Sequence, residues 1–407
     1  MNRIVVLLFL GLFLAFSACQ SDETLPETDF DALPDPVNNS NDQGTVDDPL
    51  PGGTTALNLP ANPFNYANPP LPDHFNTPAI RDQDNTPNNN LITNAGATLG
   101  RVLFYDKNLS VNNTIACASC HLPAHGFSDP AAFSEGFEGG LTGRNSMGLT
   151  NARYYERGAF FWDERAATLE EQTLMPIQDH IEMGMDLMEL EQKLNQVDYY
   201  PALFTAAFGE PEVTTTGISE ALAQFIRSMV SYESKFDEGV LALNGNLNNL
   251  GNHDFPNFTA SENLGKRLFF SNRTNCQNCH NTINFVGPTP RNNGLDLVYE
   301  DNGVGAHTGN PNQNGDFKVN SLRNIELTAP YMHDGRFATL EAVIEHYDSG
   351  VQAHPNLSPQ LRMGGPGGGQ VRRLNLTDAE KRALVDFLKT LTDHNFIQKE
   401  QFSNPFL

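Results

Sequence analysis

The chain has 407 residues, with 49 acidic against 25 basic side chains and a formal charge of −24. That balance excludes nucleic acid as a partner, because there is no surplus of cations to neutralise phosphates. Four of its five cysteines fall in two short strings, which excludes a disulfide framework.

The N-terminus reads as an export signal. Asn2-Arg3 is a small positive region, Ile4 to Phe16 is an unbroken apolar run, and Ser17-Ala18 are small. The run falls short of the ~20 residues of a comfortable membrane span. A small-residue site ending in cysteine predicts a lipoprotein signal over 1–18 and a lipid anchor at Cys19. The expected location is the periplasm or outer membrane, with surface exposure also open. Residues 19–75 are rich in Asp, Asn, Pro and Thr and read as a disordered tether.

An internal echo follows. Leu99-Gly100-Arg101-Val102-Leu103-Phe104 precedes Cys117-Ala118-Ser119-Cys120-His121, and Leu264-Gly265-Lys266-Arg267-Leu268-Phe269 precedes Cys276-Gln277-Asn278-Cys279-His280. Each Cys-x-x-Cys-His string is the attachment signature of a c-type haem, with two thiols for the vinyl groups and a histidine for the iron. A zinc site would need ligands from two distant pairs and leaves both histidines unexplained. A dithiol redox motif wants a βαβ setting that is absent. Two haem c groups are therefore expected, one in each of two tandem cytochrome c-like domains over 76–245 and 246–407.

Helical spacing marks Thr168 to Gln178, Asp186 to Phe208, Ile218 to Val240, Leu340 to Asp348 and Asp378 to Leu391. The last opens on a capping box, Thr377 with Glu380. Long Asn/Gly/Pro loops are expected over 283–320 and 351–375. With no run of alternating strands, the fold class is mainly α.

Several separated motifs resemble the bacterial dihaem cytochrome c peroxidases and their relative MauG. They are Pro123 to Asp129 after the first haem string, Phe160-Phe161-Trp162-Asp163-Glu164-Arg165-Ala166, Leu169-Glu170-Glu171-Gln172 and Ile181-Glu182-Met183-Gly184. Phe317-Lys318-Val319, Leu322-Arg323-Asn324 and Thr328 to Gly335 continue the match, which covers roughly 90–398. The resemblance implies Glu182 as the catalytic acid/base, Gln172 beside it, and Trp162 as an electron relay between the haems. It also implies calcium on Asn145, Thr328 and the carbonyl of Pro330. His333 is expected near a haem edge or the domain interface and not as an iron ligand.

Two departures carry weight. Many family peroxidases place a distal histidine after the first haem string, but no histidine occurs between His125 and His180. The first haem is therefore expected to be open without reductive activation. Tyr347 stands where the peroxidases place an axial methionine and MauG a tyrosine, with Met363, His346 and His354 as alternatives.

The expected function is reduction of hydrogen peroxide to water with electrons from a small donor such as a cytochrome c. One alternative is a MauG-like oxidase that uses peroxide to oxidise a protein substrate. Another is a dihaem electron-transfer protein without peroxide turnover. A homodimer is compatible with the sequence.

Overall fold

In the computed structural model, residues 56–364 and 369–407 are described; the expected signal segment and Cys19 lie outside them. Helices joined by long loops make up these residues, and strand-type pairing among them occurs only as isolated bridges. The longer helices are α1 (Asn94–Tyr105), α2 (Leu169–Gln178), α3 (Leu187–Leu194), α4 (Tyr200–Phe208), α5 (Thr215–Ser228) and α6 (Lys235–Ala242). After them come α7 (Ala260–Phe269), α8 (Leu340–Glu345) and α9 (Asp378–Lys389). Most begin on a short polar side chain that accepts a hydrogen bond from the first turn: Thr93, Thr168, Asp186, Thr214, Ser234, Thr259, Thr339 and Thr377.

Three expected helices are interrupted. Residues 186–208 divide into α3 and α4, because Asn195 turns away and bonds the backbone of Val213 through both its amide atoms. Residues 218–240 divide after Ser228, where the carboxylate of Asp393 accepts the N–H groups of Tyr232 and Glu233 at 3.1 and 3.0 Å. The third change is at α8, which ends at Glu345 and continues as a π-helical turn over His346–Gly350. Such turns shift the side chains they carry relative to a regular helix.

The sequence echo becomes a repeated helix crossing. A Cβ on Gly100 of α1 would lie 2.0 Å from the carbonyl oxygen of Ala221 on α5, and one on Gly265 of α7 would lie 1.8 Å from that of Ala383 on α9. Only glycine permits either approach. One turn further on, Phe104 meets Phe225 edge-on at 5.4 Å between ring centroids, and Phe269 packs on Phe387 at 5.1 Å. Each crossing anchors its own core.

The two cores exchange their ends. Phe396 and Phe402, near the C-terminus, sit in the first core, where Arg101 and Tyr105 of α1 donate to the carbonyls of Ser403 and Phe402. Phe75, Ile80 and Phe236 of α6 sit in the second. The tether expected over 19–75 therefore does not reach through 56–75: Tyr66, His74 and Phe75 are buried. A buried cluster ties this segment down. Asp237 accepts from both guanidinium nitrogens of Arg323 (2.8 and 2.9 Å) and pairs with His74 Nε2 at 3.2 Å.

Candidate active site

Two cavities open beside the two crossings. The first, about 680 Å³, is lined by Cys120, His121, Gln172, Pro176 and Glu182; the second, about 240 Å³, by Cys276, Cys279, His280 and Tyr347. The four cysteines among the described residues form no disulfide.

The histidines are set by one device used twice. His121 Nδ1 lies 2.8 Å from the carbonyl of Phe127, and His280 Nδ1 lies 3.1 Å from that of Phe285. Both phenylalanines adopt the left-handed conformation, φ +60° and +52°, unusual for a bulky residue. That twist costs ~1–2 kcal/mol each and aims the carbonyl at the imidazole. With Nδ1–H donating there, Nε2 keeps its lone pair and the tautomer suits a metal ligand. Burial lowers the pKa of both rings, that of His280 to about 4, so the neutral form holds at neutral pH.

The residues fit haem on a further observation. Arg291 Nε, Asn293 Oδ1, Asn320 Oδ1 and His333 Nδ1 are buried without a protein partner, and all four residues line the second cavity. Buried polar atoms of this kind call for a polar partner within the cavity. A haem carboxylate would accept from Arg291 Nε–H and from a His333 Nδ1–H, while the two amide oxygens call for a donor such as water.

Glu182 is half-buried on the wall of the first cavity. Burial, with Asp179 nearby and Arg165 only partly offsetting, pushes its carboxyl up to about 7. A carboxyl poised at neutrality can both accept and return a proton. Gln172 of α2 lines the same cavity. Trp162 lines both cavities, and its Nε1 donates to the Asn145 carbonyl at 2.9 Å; the Asn145 N–H in turn donates to the carbonyl of His333 at 2.7 Å. The ring of His333 stacks on Phe317 at 3.8 Å. Asn145, Thr328 and Pro330 all line the second cavity.

A second repeat, unnoticed in the sequence reading, explains the difference between the cavities. Phe160 to Ala166 and Tyr331 to Phe337 each close a tight loop by a bridge between their first and last residues. Trp162-Asp163-Glu164-Arg165 in one matches His333-Asp334-Gly335-Arg336 in the other. Each loop leads to a threonine cap, Thr168 or Thr339, and then to α2 or α8. The eighth residue from the start of each helix is Pro176 in the first and Tyr347 in the second, and each lines its cavity. Proline has no side-chain donor for a metal; tyrosine has one. The matching Asp-x-Arg and Ala-Thr-Leu-Glu strings were the signal that could have revealed it.

The alternatives to Tyr347 sit elsewhere. Met363 is 57% exposed, His346 Nε2 lies 3.1 Å from the Asn293 carbonyl, and His354 Nδ1 is engaged with Asn292 and the Asn356 N–H. None of the three lines the second cavity.

Comparison with known proteins identifies the family. Residues 94–244 match the family model of the di-haem cytochrome c peroxidases. The chain is 32% identical to the methylamine utilization protein MauG of Methylophilus methylotrophus over 75% of its own length and 84% of that protein. It is 34% identical to the cytochrome c551 peroxidase of Nitrosomonas europaea over 61% of its length and 71% of that enzyme. Among solved structures it resembles a MauG-like protein associated with microbial copper homeostasis, with a TM-score of 0.68 and 32% identity over 83% of this chain and 99% of that one. The chain belongs to the dihaem cytochrome c peroxidase family, the two-haem oxidoreductases that include MauG.

Proposed function

We propose that this protein reduces hydrogen peroxide to water in its first cavity, with electrons delivered through the second from a small donor such as a cytochrome c. The inequality of the cavities carries the reading: Glu182 and Pro176 beside His121, Tyr347 beside His280. Each haem is held through thioethers, by Cys117 and Cys120 in the half built on α1 and α5, and by Cys276 and Cys279 in the half built on α7 and α9. A haem in the first cavity supplies the iron and electrons that split the oxygen–oxygen bond.

The side chains divide the remaining work. Glu182, as carboxylate, would take the proton from one peroxide oxygen and return it to the other, departing one. Gln172 orients the peroxide by hydrogen bonding. Pro176 offers no competing ligand in the first cavity, while Tyr347, which shares the second cavity with His280, would serve with it to hold the second haem. A tyrosine ligand favours the ferric or a higher oxidation level over the reduced one. Trp162, on the wall of both cavities, relays electrons.

The neutral oxygens of Asn145, Thr328 and Pro330 would hold calcium together with waters, a donor set of the right hardness. Asn145 is already oriented, its amide donating to the Ala131 carbonyl at 3.0 Å. Export and a lipid anchor at Cys19 complete the reading, and a homodimer fits it. A second reading, oxidation of a protein substrate as its MauG relatives suggest, is favoured by the tyrosine at 347, which biases the second haem away from simple electron delivery.

The ferric spectrum tests the reading. One high-spin and one low-spin haem are expected, with the high-spin signal perturbed by peroxide without prior reduction. Two low-spin haems would exclude an open first site. Tyr347→Phe is expected to shift only the low-spin signal, and an unchanged spectrum would return the ligand question to Met363 or a histidine.

A further inference from the structure

Behind Trp162 the loop holds an acid that the peroxide reaction above does not use. Glu164 is 8% exposed and adopts φ +56°, a conformation for which glycine is the usual choice. Its counterpart in the second loop is Gly335, at φ +65°. The first loop has thus placed a carboxylate where the backbone favours having no side chain at all. Backbone strain of this sort clusters at functional sites.

That carboxylate is aimed at a tyrosine. The hydroxyl of Tyr155, itself 2% exposed, donates to Glu164 Oε1. Arg157 holds the same carboxylate through three contacts of 2.8–3.0 Å. The Tyr155 ring is part of the wall of the first cavity, as is Trp162. Lys318 connects the two: its N–H donates to the Trp162 carbonyl at 2.8 Å, and its Nζ stands 3.7 Å from the centre of the Tyr155 ring.

We propose that Tyr155 is a redox-active residue of the peroxide reaction, giving one electron to the oxidised Trp162–haem unit while its phenolic proton passes to Glu164. The inference rests on the peroxidase reading, since peroxide supplies the oxidising equivalent. The balance closes locally. The phenol O–H bond breaks, the electron reduces the Trp162–haem unit by one equivalent, and the proton makes Glu164 a neutral acid, leaving a neutral phenoxyl radical. An electron from the external donor and the returning proton restore the starting state.

The surroundings select this coupled step over its two alternatives. Loss of the proton first is disfavoured, because burial and the Glu164 charge raise the phenol pKa far above neutrality. Loss of the electron first would leave a positive ring 3.7 Å from Lys318 Nζ. Burial lowers that amine's pKa to about 7, so its ammonium form, still populated at neutral pH, opposes the step by like-charge repulsion. Departure of both together adds no charge to the ring, and it requires a fixed acceptor on the hydroxyl. Glu164 meets that requirement, and its strained backbone is the cost of placing it there.

The test uses the full-length holoprotein, treated with one equivalent of peroxide without donor, rapidly frozen and read by electron paramagnetic resonance beside the optical spectrum. A tyrosyl signal is expected that narrows when the protein is grown on ring-deuterated tyrosine. It should fall at least tenfold in Tyr155→Phe and comparably in Glu164→Gln, with the resting haem spectra unchanged. Oxidised haems without a tyrosyl signal, or a signal indifferent to Tyr155→Phe, would overturn the proposal while leaving the peroxidase reading intact. Loss in Tyr155→Phe but not in Glu164→Gln would remove Glu164 as the proton acceptor and overturn the coupled step. Haems that peroxide leaves unchanged would sink the peroxidase reading, and this inference with it.

Discussion

In the first half α1 crosses α5 at Gly100, in the second α7 crosses α9 at Gly265, and both haem-string histidines hang from a carbonyl held in left-handed backbone. Even the loops that lead into α2 and α8 share an Asp-x-Arg and an Ala-Thr-Leu-Glu string. The halves part in those loops at Trp162 and Glu164, where the second has His333 and Gly335. They part again where the helices reach the cavities, with Pro176 in one and Tyr347 in the other, and with Glu182 on the wall of the first alone. On the proposed function, a scaffold built to hold a haem is copied in outline, and a few side chains at one wall set which copy reacts. The first half differs in what it omits, a tyrosine at the position of Pro176, as much as in what it carries.

The comparison can be broken most severely at Glu182. Glu182→Gln should lower peroxide turnover by about 10²-fold or more, since a carboxamide cannot shuttle the proton. With the carboxyl raised to about 7, the base form grows as pH climbs, so the wild-type rate should rise through about pH 7 and level off above it. The variant should lose that dependence. Steady-state rates between pH 5 and 9 decide the matter, and equal profiles for the two proteins would remove Glu182 from the chemistry.

The next largest effect concerns the exchange of ends. Burial pushes Asp237 up, but the Arg323 guanidinium, with hydrogen bonds from His74, Arg323 and Ser234, outweighs it and holds the carboxyl well below the usual carboxylate range. A carboxyl so depressed contributes stability in full above its unfolded pKa and loses it only as pH falls through the folded one. Arg323→Ala strands a buried charge and should cost about 3–5 kcal/mol at neutral pH, read by denaturant unfolding. The penalty should shrink in acid, where a proton neutralises the stranded carboxylate. A loss that stays constant with pH would mean that packing, not charge, was removed.

The smallest effect sharpens the parallel itself. Gly100→Ala and Gly265→Ala both force a methyl onto a facing carbonyl, at 2.0 and 1.8 Å, and should each destabilise by about 1–3 kcal/mol. Similar losses would confirm that the crossings do equivalent work. A neutral result at one of them would show that its helices can separate without consequence.

Much of this was legible in the chain because it depends on local chemistry. Cys-x-x-Cys-His names a haem by itself, and Thr377 with Glu380 announced the start of α9. The helix breaks were less visible, since Asn195 and Asp393 act through partners distant in sequence, Val213 and the backbone of Tyr232 and Glu233. Residues 56–75 looked like a tether because their composition is polar, and composition does not report that Tyr66 and Phe75 find two different cores.

By itself, then, the sequence determined the cofactor class and the duplicated helix that precedes each haem string, because each is carried by a short string of fixed spacing, while Glu182, Gln172 and Trp162 stood out only through resemblance to a family. The tertiary structure decided the rest. It brought Glu182 to the first cavity and raised its pKa by burial, set Tyr347 facing the second and left Met363 outside it, and turned Glu164 onto Tyr155. These outcomes depend on burial and on the approach of distant segments, which no local pattern encodes.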